Sequence, residues 1–323
     1  MQHFIQTANQ LGCERQPFFF LIDFEQQKPL ILPISETLNQ GITFDLLGYR
    51  NTITLETVEK PFEFQLTPLD FNRYKKGFES VKAEIQAGNS YLLNLSYPTP
   101  IKSNYSLEEI YIASRAKYKL LLDNQFVCFS PECFIRIKNN IIYSYPMKGT
   151  INAAEDNAEK KLFDSEKEFT EHNTIVDLIR NDLSLVAERI EVSKYRYIEK
   201  LETHRGAIYQ TSSEIRGRLK ENWQAKIGTI LAKLLPAGSI SGAPKTKTVA
   251  IIQQTEQQKR GYYTGVFGYF DGEKLESAVA IRYIEQQGNQ FIFRSGGGIT
   301  ALSQLQDEYN EILEKVYVPI SLI

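Results

Sequence analysis

An α+β fold built on antiparallel sheet is what the sequence predicts, and three observations lead there. Several β-rich runs are separated by tight turn signals, with Asn139-Asn140, Asp271-Gly272 and Gln287-Gly288 between strands. Amphipathic helical patterns stand apart from these runs, as over 71–85, where apolar residues step by three and four. The 323 residues, 42% of them hydrophobic, are enough for a large core, in two domains or in one fold built on large sheets.

Composition narrows the partners. With 37 basic and 39 acidic residues the formal charge is -2, and no basic block is present to track a phosphate backbone, so nucleic acid is not expected. The start, Met1-Gln2-His3-Phe4, lacks the plan of a signal peptide, and no run approaches ~18 apolar residues. A cytoplasmic protein with no membrane contact is the expectation. Cys13, Cys128 and Cys133 cannot all pair and have no metal-ligand spacing, so they read as buried thiols in a reducing compartment.

In chain order, 18–23 and 29–33 read as strands, and 42–56 has β-rich alternation. Thr67-Pro68 opens a helix whose apolar positions are Phe71, Tyr74, Phe78, Val81 and Ile85, with Gly88 past its end. A strand over 90–97 follows, then a capping box at Ser106-Leu107-Glu108-Glu109. Runs 126–137 and 141–147 flank Asn139-Asn140. A two-residue turn there leaves Glu132 and Lys148 on opposite faces, whereas a three-residue loop or a bulge sets them across from each other.

The second run ends at Lys148-Gly149, where the strand stops and an amine can project beyond its edge. Taken alone, such a pair is an ordinary solvated strand end. One helix over about 156–183 carries Glu171 and His172, and another over 223–234 is stopped by Pro236. It feeds Ala237-Gly238-Ser239-Ile240-Ser241-Gly242-Ala243-Pro244-Lys245, read as a loop with backbone N–H groups turned toward an anion. An antiparallel meander covers 265–270, 275–285 and 291–294. In its middle strand Ala278, Ala280 and Arg282 share one face, leaving room for a carboxylate beside the arginine. After Gly296-Gly297-Gly298, Ser303 with Gln306 caps a final helix. That helix buries Leu305, Tyr309, Ile312 and Val316, and gathers Glu308, Glu311 and Lys315 on another face, ordinarily a solvated salt-bridged one.

Taken in order, Ser130-Pro131-Glu132, Lys148-Gly149-Thr150, the run from Glu171-His172-Asn173 to Arg180-Asn181-Asp182, the Gly238 to Lys245 segment, Arg260-Gly261-Tyr262-Tyr263, Ala280-Ile281-Arg282, and Gly296-Gly297-Gly298 with Glu308 and Glu311 resemble the chorismate-utilising enzymes. The resemblance runs from about Asp70 to the C-terminus. It implies one domain over 1–323, with large antiparallel sheets packed face to face, helices outside and the active site between. A shortened N-terminal portion, about 1–66, would precede a motif-bearing region of about 67–323. No serine motif of the tryptophan-regulated branch is found before Asp70, and no fused lyase is expected after Val318.

The resemblance also implies roles. Mg²⁺ would be held by Glu171 and Glu311 with Glu308 close by, a hard-oxygen set that suits this ion. The ring carboxylate of chorismate would meet the metal, Lys315 and the amides of the Gly296-Gly297-Gly298 run. Arg282 and Tyr263 would take the enolpyruvyl carboxylate, since a guanidinium matches a carboxylate bidentately. Gly149 and Thr150 would line the ring, and His172 is a further substrate-side candidate.

Lys148 separates the branches. Anthranilate synthases carry alanine there, and so do the isochorismate enzymes, whose own lysine aligns near Leu92. Lysine before Gly149-Thr150 resembles component I of aminodeoxychorismate synthase. That branch implies attack by Lys148 on ring C2, with Glu132 as general acid for the C4 hydroxyl, followed by ammonia at C4. Such a lysine is expected to be desolvated or crowded by positive charge, and Glu132 to be buried. Two departures stand out: Leu92 where the family often has glutamine, and Ala237 where a second glycine is common. Ammonia would come from a separate glutamine amidotransferase subunit, since Cys13 lacks the setting of a glutaminase nucleophile. The alternatives are an anthranilate-type synthase and a non-catalytic chorismate-binding subunit.

Overall fold

The computed structural model describes residues 1–52, 58–203 and 206–320. Helix α1 (Gln2–Cys13) lays Phe4 and Ala8 on the core. Strand β1 (Phe18–Ile22) is an unbroken apolar run because both of its faces are covered: Phe18, Phe20 and Ile22 face one core, Phe19 and Leu21 another. Then come β2 (Leu30–Pro33), β3 (Ile42–Leu46), β4 (Tyr49–Arg50) and β5 (Phe64–Leu66). Positions 53–56 of the expected 42–56 run lie outside the described residues.

Helix α2 (Phe71–Gln86) begins later than Thr67-Pro68, because Thr67 N–H still bonds Pro100 O and Asp70 supplies the cap to Arg73 N–H. After β6 (Leu92–Ser103), the expected capping box opens α3 (Leu107–Ala113). Strands β7 (Tyr118–Leu122), β8 (Phe126–Ser130), β9 (Cys133–Lys138), β10 (Ile141–Ser144) and β11 (Met147–Asn152) follow. The β9–β10 turn has two residues, Asn139 and Asn140, at φ 54° and 60°. In place of one helix over 156–183 there are α4 (Ala158–Asp164) and α5 (Glu166–Ser184), since Ser165 turns extended and caps α5.

Strands β12 (Glu188–Thr203) and β13 (Gly206–Arg218) form a long ribbon. The expected 223–234 helix is a 3₁₀ turn followed by α6 (Ile227–Leu234). The segment read as an open loop is instead one helical turn, α7 (Gly238–Ser241), and a short strand, β14 (Gly242–Ala243), paired with β6. The chain closes with α8 (Lys245–Glu256), β15 (Val266–Phe270), β16 (Leu275–Val279), β17 (Tyr283–Gln287), β18 (Gln290–Thr300) and α9 (Leu305–Glu314). Ser303 does not cap α9: its hydroxyl accepts from Thr300 N–H, and Gln306 bonds Asn310.

Two nine-stranded antiparallel sheets result. In the first, β12 flanks β13, β10 and β11 share the other edge of β13, and β9, β16, β15, β1 and β2 follow. The second runs β14, β6, β18, β17, β8, β7, β3, β4, with β5 also on β6. Phe19, Phe44, Tyr118, Phe126 and Phe267 fill the space between the sheets. Helices α1, α2 and α5 to α9 cover a second core, and α3 with the 316–320 segment covers a third. The described residues of the 1–66 portion are woven into both sheets through β1 to β5.

The sheets are joined where two neighbouring strands change allegiance together. The run 126–137 is not one strand: β8 lies in the second sheet and β9 in the first. Likewise 275–285 divides into β16 and β17. Between them lie Pro131-Glu132 and Ala280-Ile281-Arg282, cross-linked by Val279 N–H to Glu132 O and Phe129 N–H to Arg282 O, both 3.1 Å. Arg282 has φ 53°, so alternation ends there and it does not share a face with Ala278 and Ala280. The cysteine expectation is also corrected: Cys128 and Cys133 are buried, but Cys13 is exposed.

Beside this corner, Arg260 is buried at 2% exposure and pairs with Glu256 at 2.5 Å. The guanidinium also donates to Ile240 O and Asn94 O, and Glu256 accepts from Ser96 N–H, so α7, α8 and β6 meet at one ion pair. Replacing Glu256 with Leu leaves the arginine charge uncompensated and is expected to cost about 3–5 kcal/mol in urea unfolding. Adding Arg260→Met should recover part of that loss; equal stability of the single and double variants would show that the charge pairing is not the source.

Candidate active site

Lys148 lies on β11, where pairing with β13 slips between Lys148 and Thr150. The strand does not stop at Gly149, as the sequence suggested, but bulges there, with Gly149 at φ +81°. The bulge frees the lysine from the regular register. Its Nζ reaches Glu171 Oε2 on α5 at 2.5 Å. Across the groove is β18, where a Cβ on Gly298 would stand 3.5 Å from that Nζ and 3.1 Å from Leu92 Cδ1. The absence of side chains on Gly296-Gly297-Gly298 therefore lets the amine approach bare backbone.

Gly297 marks the approach of α9: a Cβ there would lie 3.5 Å from Glu308 Oε2, and Glu308 is 2% exposed. One turn on, Glu311 pairs with Lys315 at 2.6 Å, and Lys315 also donates to Gly296 O at 3.0 Å. The expected solvated face of α9 thus turns into the groove at Glu308. Strand β17 pairs with β18 only as far as Tyr283–Arg294, so the following residues of β18 keep an edge clear of it. Glu132 and Arg282 flank the groove at the sheet crossing, and the Arg282 guanidinium lies 5.3 Å from the Tyr317 ring. Tyr263 is buried next to them, and Thr150 is exposed beyond the bulge.

The surrounding charges differ between Lys148 and Glu132. Burial alone would lower the Lys148 pKa, but the carboxylates of Glu171, Glu311 and Glu168 outweigh it and leave it raised. Of the two expected settings the lysine has the desolvation, while the charge that crowds it is negative rather than positive. Burial raises the Glu132 carboxyl, opposed by a hydrogen bond from Ser239 and by the charges of Arg282 and Lys315. Burial likewise pushes Tyr263 up to about 12.

His172 is fully enclosed. Its Nε2 meets Ser213 Oγ at 2.6 Å, and burial with Arg196 and Lys148 nearby lowers its pKa to about 4. Two residues escaped the sequence reading. Glu168 stands three positions before Glu171, the spacing that also relates Glu308 to Glu311, and its Oε2 is 2.8 Å from where a Cβ on Gly149 would sit. Ser239 contacts Glu132 across 107 positions of sequence, with no local signal to reveal it.

Several buried polar atoms around this groove have no hydrogen-bond partner: Glu171 Oε1, His172 Nδ1, Arg282 Nε, Asn94 Oδ1 and Ser295 Oγ. Such atoms are uncommon in a folded interior and point to a polar ligand. Among the described residues no preformed cluster of three acidic, His or Cys side chains is close enough to cage a metal. The set still fits Mg²⁺, which is usually held by one or two carboxylates together with substrate and water. Glu171 Oε1 offers an unsatisfied oxygen, with Glu308 and Glu311 on the facing helix.

The family of chorismate binding enzymes matches residues 14–321, and this chain belongs to it. An uncharacterized PabA-like protein of Haemophilus influenzae is 61% identical over 320 residues, covering 99% of this chain and 97% of the relative. Aminodeoxychorismate synthase component 1 of Bacillus subtilis is 30% identical over 77% of this chain, which spans 55% of that relative's length. The crystal structure of anthranilate synthase component I from Streptococcus pneumoniae superposes with a TM-score of 0.68 at 27% identity, covering 81% of this chain and 60% of that one. No helix among the described residues is long and apolar enough to cross a membrane.

Millimolar Mg²⁺ is expected to raise the thermal midpoint of the protein, since a ligand that binds only the folded state stabilises it. Glu171→Gln should abolish that rise. An undiminished rise in the variant would put the ion on other groups.

Proposed function

We propose that this chain aminates chorismate at C4 with ammonia, giving 4-amino-4-deoxychorismate with its enolpyruvyl group retained, through a covalent intermediate on Lys148. The observation that carries the reading is the bulged Lys148, whose amine meets the bare backbone of Gly298 across the groove while Glu132 stands at the corner. Glu171 Oε2, at 2.5 Å, is the acceptor for the ammonium proton. The free amine attacks ring C2, the two conjugated ring double bonds shift to C1=C6 and C4=C5, and the C4 hydroxyl leaves as water with a proton from Glu132. Ammonia then adds at C4, both double bonds return, and the lysine amine departs from C2. Glu132, now ionised, takes the proton released by the new amine.

Arg282 and Tyr263 would hold the enolpyruvyl carboxylate, and Lys315 with the Gly296–Gly298 backbone the ring carboxylate. Mg²⁺, when bound by Glu171 and Glu311 with Glu308 beside them, supplies positive charge for that ring carboxylate. Ammonia would be delivered by a separate glutamine amidotransferase subunit, and conversion of the product to p-aminobenzoate for folate would need another enzyme. A second reading, C2 amination with loss of pyruvate, draws support from the likeness to anthranilate synthase component I.

Incubation of the chain with chorismate, Mg²⁺ and an ammonium salt tests both. Mass analysis should find a product that gains one amine and keeps the enolpyruvyl group, lost or redirected in Lys148→Ala. Anthranilate and pyruvate from the wild type would decide for the second reading. Because Glu132 must be protonated and its pKa is raised, the rate should hold above the usual carboxylate range and fall as pH rises through that folded pKa.

A further inference from the structure

We propose that Ser239 is a positioning residue for the general acid: its hydroxyl donates to Glu132 Oε1 and so leaves the transferable proton on Oε2. The inference rests on the reading of Glu132 given above. A carboxylic acid carries its hydrogen on one oxygen and accepts best at the other. A donor fixed on Oε1 therefore decides which oxygen faces the substrate. Once the proton has left, the same bond stabilises the carboxylate that remains.

Both partners are held independently of their contact. Ser239 lies in α7, where Ser241 Oγ bonds Ala237 O at 2.8 Å and Arg260 Nη1 bonds Ile240 O at 2.9 Å. On the preceding residue, a Cβ at Gly238 would press within 2.8 Å of Asp182 Oδ2, and Lys245 ties Asp182 to Leu234 O at 2.9 Å each. Glu132 is fixed by its N–H to Ser130 Oγ and its carbonyl to Val279 N–H, both 3.1 Å. Only side-chain torsions remain to be set, and the Ser239 bond sets them. The hydroxyl has no capping duty, since α7 has no side-chain cap.

The groups that face Glu132 do not replace this role. Arg282 comes from the sheet crossing and Lys315 from the end of α9, and both act on it by charge. Tyr145, from the break between β10 and β11, and Asp182, paired with Lys245, line the same small pocket as Glu132 and Ser239. None of these hydrogen-bonds the carboxyl, whereas Ser239 does.

The test uses the intact chain with chorismate, Mg²⁺ and an ammonium salt across a pH series. Ser239→Ala should lower kcat roughly tenfold, the scale of a lost hydrogen bond to a charged group, with KM for chorismate little changed. The upper limb of the pH profile should move to higher pH, because the carboxylate loses its donor. Ser239→Thr, which keeps the hydroxyl, should restore both. In a Glu132→Gln background Ser239→Ala should add no further loss. A Ser239→Ala profile that falls in rate with its limb unmoved, or a loss that persists undiminished beside Glu132→Gln, overturns the positioning role. Full activity in Glu132→Gln alone would overturn the general-acid reading first, and the two failures are thereby distinct.

Discussion

The architecture depends on two adjacent strands passing from one sheet to the other at the same level. A strand can leave its sheet only where its ladder is interrupted, and the sequence provides the means on both sides. Pro131 has no N–H to offer, and Arg282 takes a positive φ that L-residues seldom adopt. The freed peptide groups bond each other across the corner, Val279 to Glu132 and Phe129 to Arg282. The side chains at 132 and 282 consequently project from a corner, where the sheets part. The strain stored at Arg282 is of order 1–3 kcal/mol and sits where its guanidinium borders the groove.

Charge is arranged on two scales around that corner. Arg260 and Glu256 are sealed from water and bonded on all sides, which suits a pair whose work is to hold α7, α8 and β6 in register. Lys148 and Glu171 are as close, yet Glu171 Oε1 is left without a partner. A buried pair with one oxygen unspent is poorly satisfied as structure and well suited to binding.

What the sequence made legible was local. The Ser106–Glu109 capping box and the Asn139-Asn140 turn formed as read, because each is decided within a few residues. Sheet membership was not legible: the runs 126–137 and 275–285 stay β-rich while their partners change, and nothing in side-chain pattern records which sheet supplies the next hydrogen bond. The helix over 156–183 was read through Ser165, whose capping preference was hidden in a charged stretch. In the site, motifs brought Lys148, Glu171, Glu132 and Arg282 to notice, but contacts between distant segments, such as Ser239 with Glu132, have no sequence period to betray them. Nor could the sign of the field at Lys148 be read, since it depends on Glu168 and Glu311 arriving from two different helices.

The three glycines of β18 have a consequence for how such a groove can diversify. Over those residues the wall is backbone alone, so it can recognise the carboxylate and the plane of a ring but has no side chain with which to tell one ring carbon from the next. Side chains able to make that distinction stand elsewhere around the groove, at Lys148 on the bulge and at Ser239 with Glu132. A change of one of these residues alters which ring atom meets a reactive group while the wall of bare backbone stays as it is. Two proteins of this fold can thus grip the same ring identically and transform it differently.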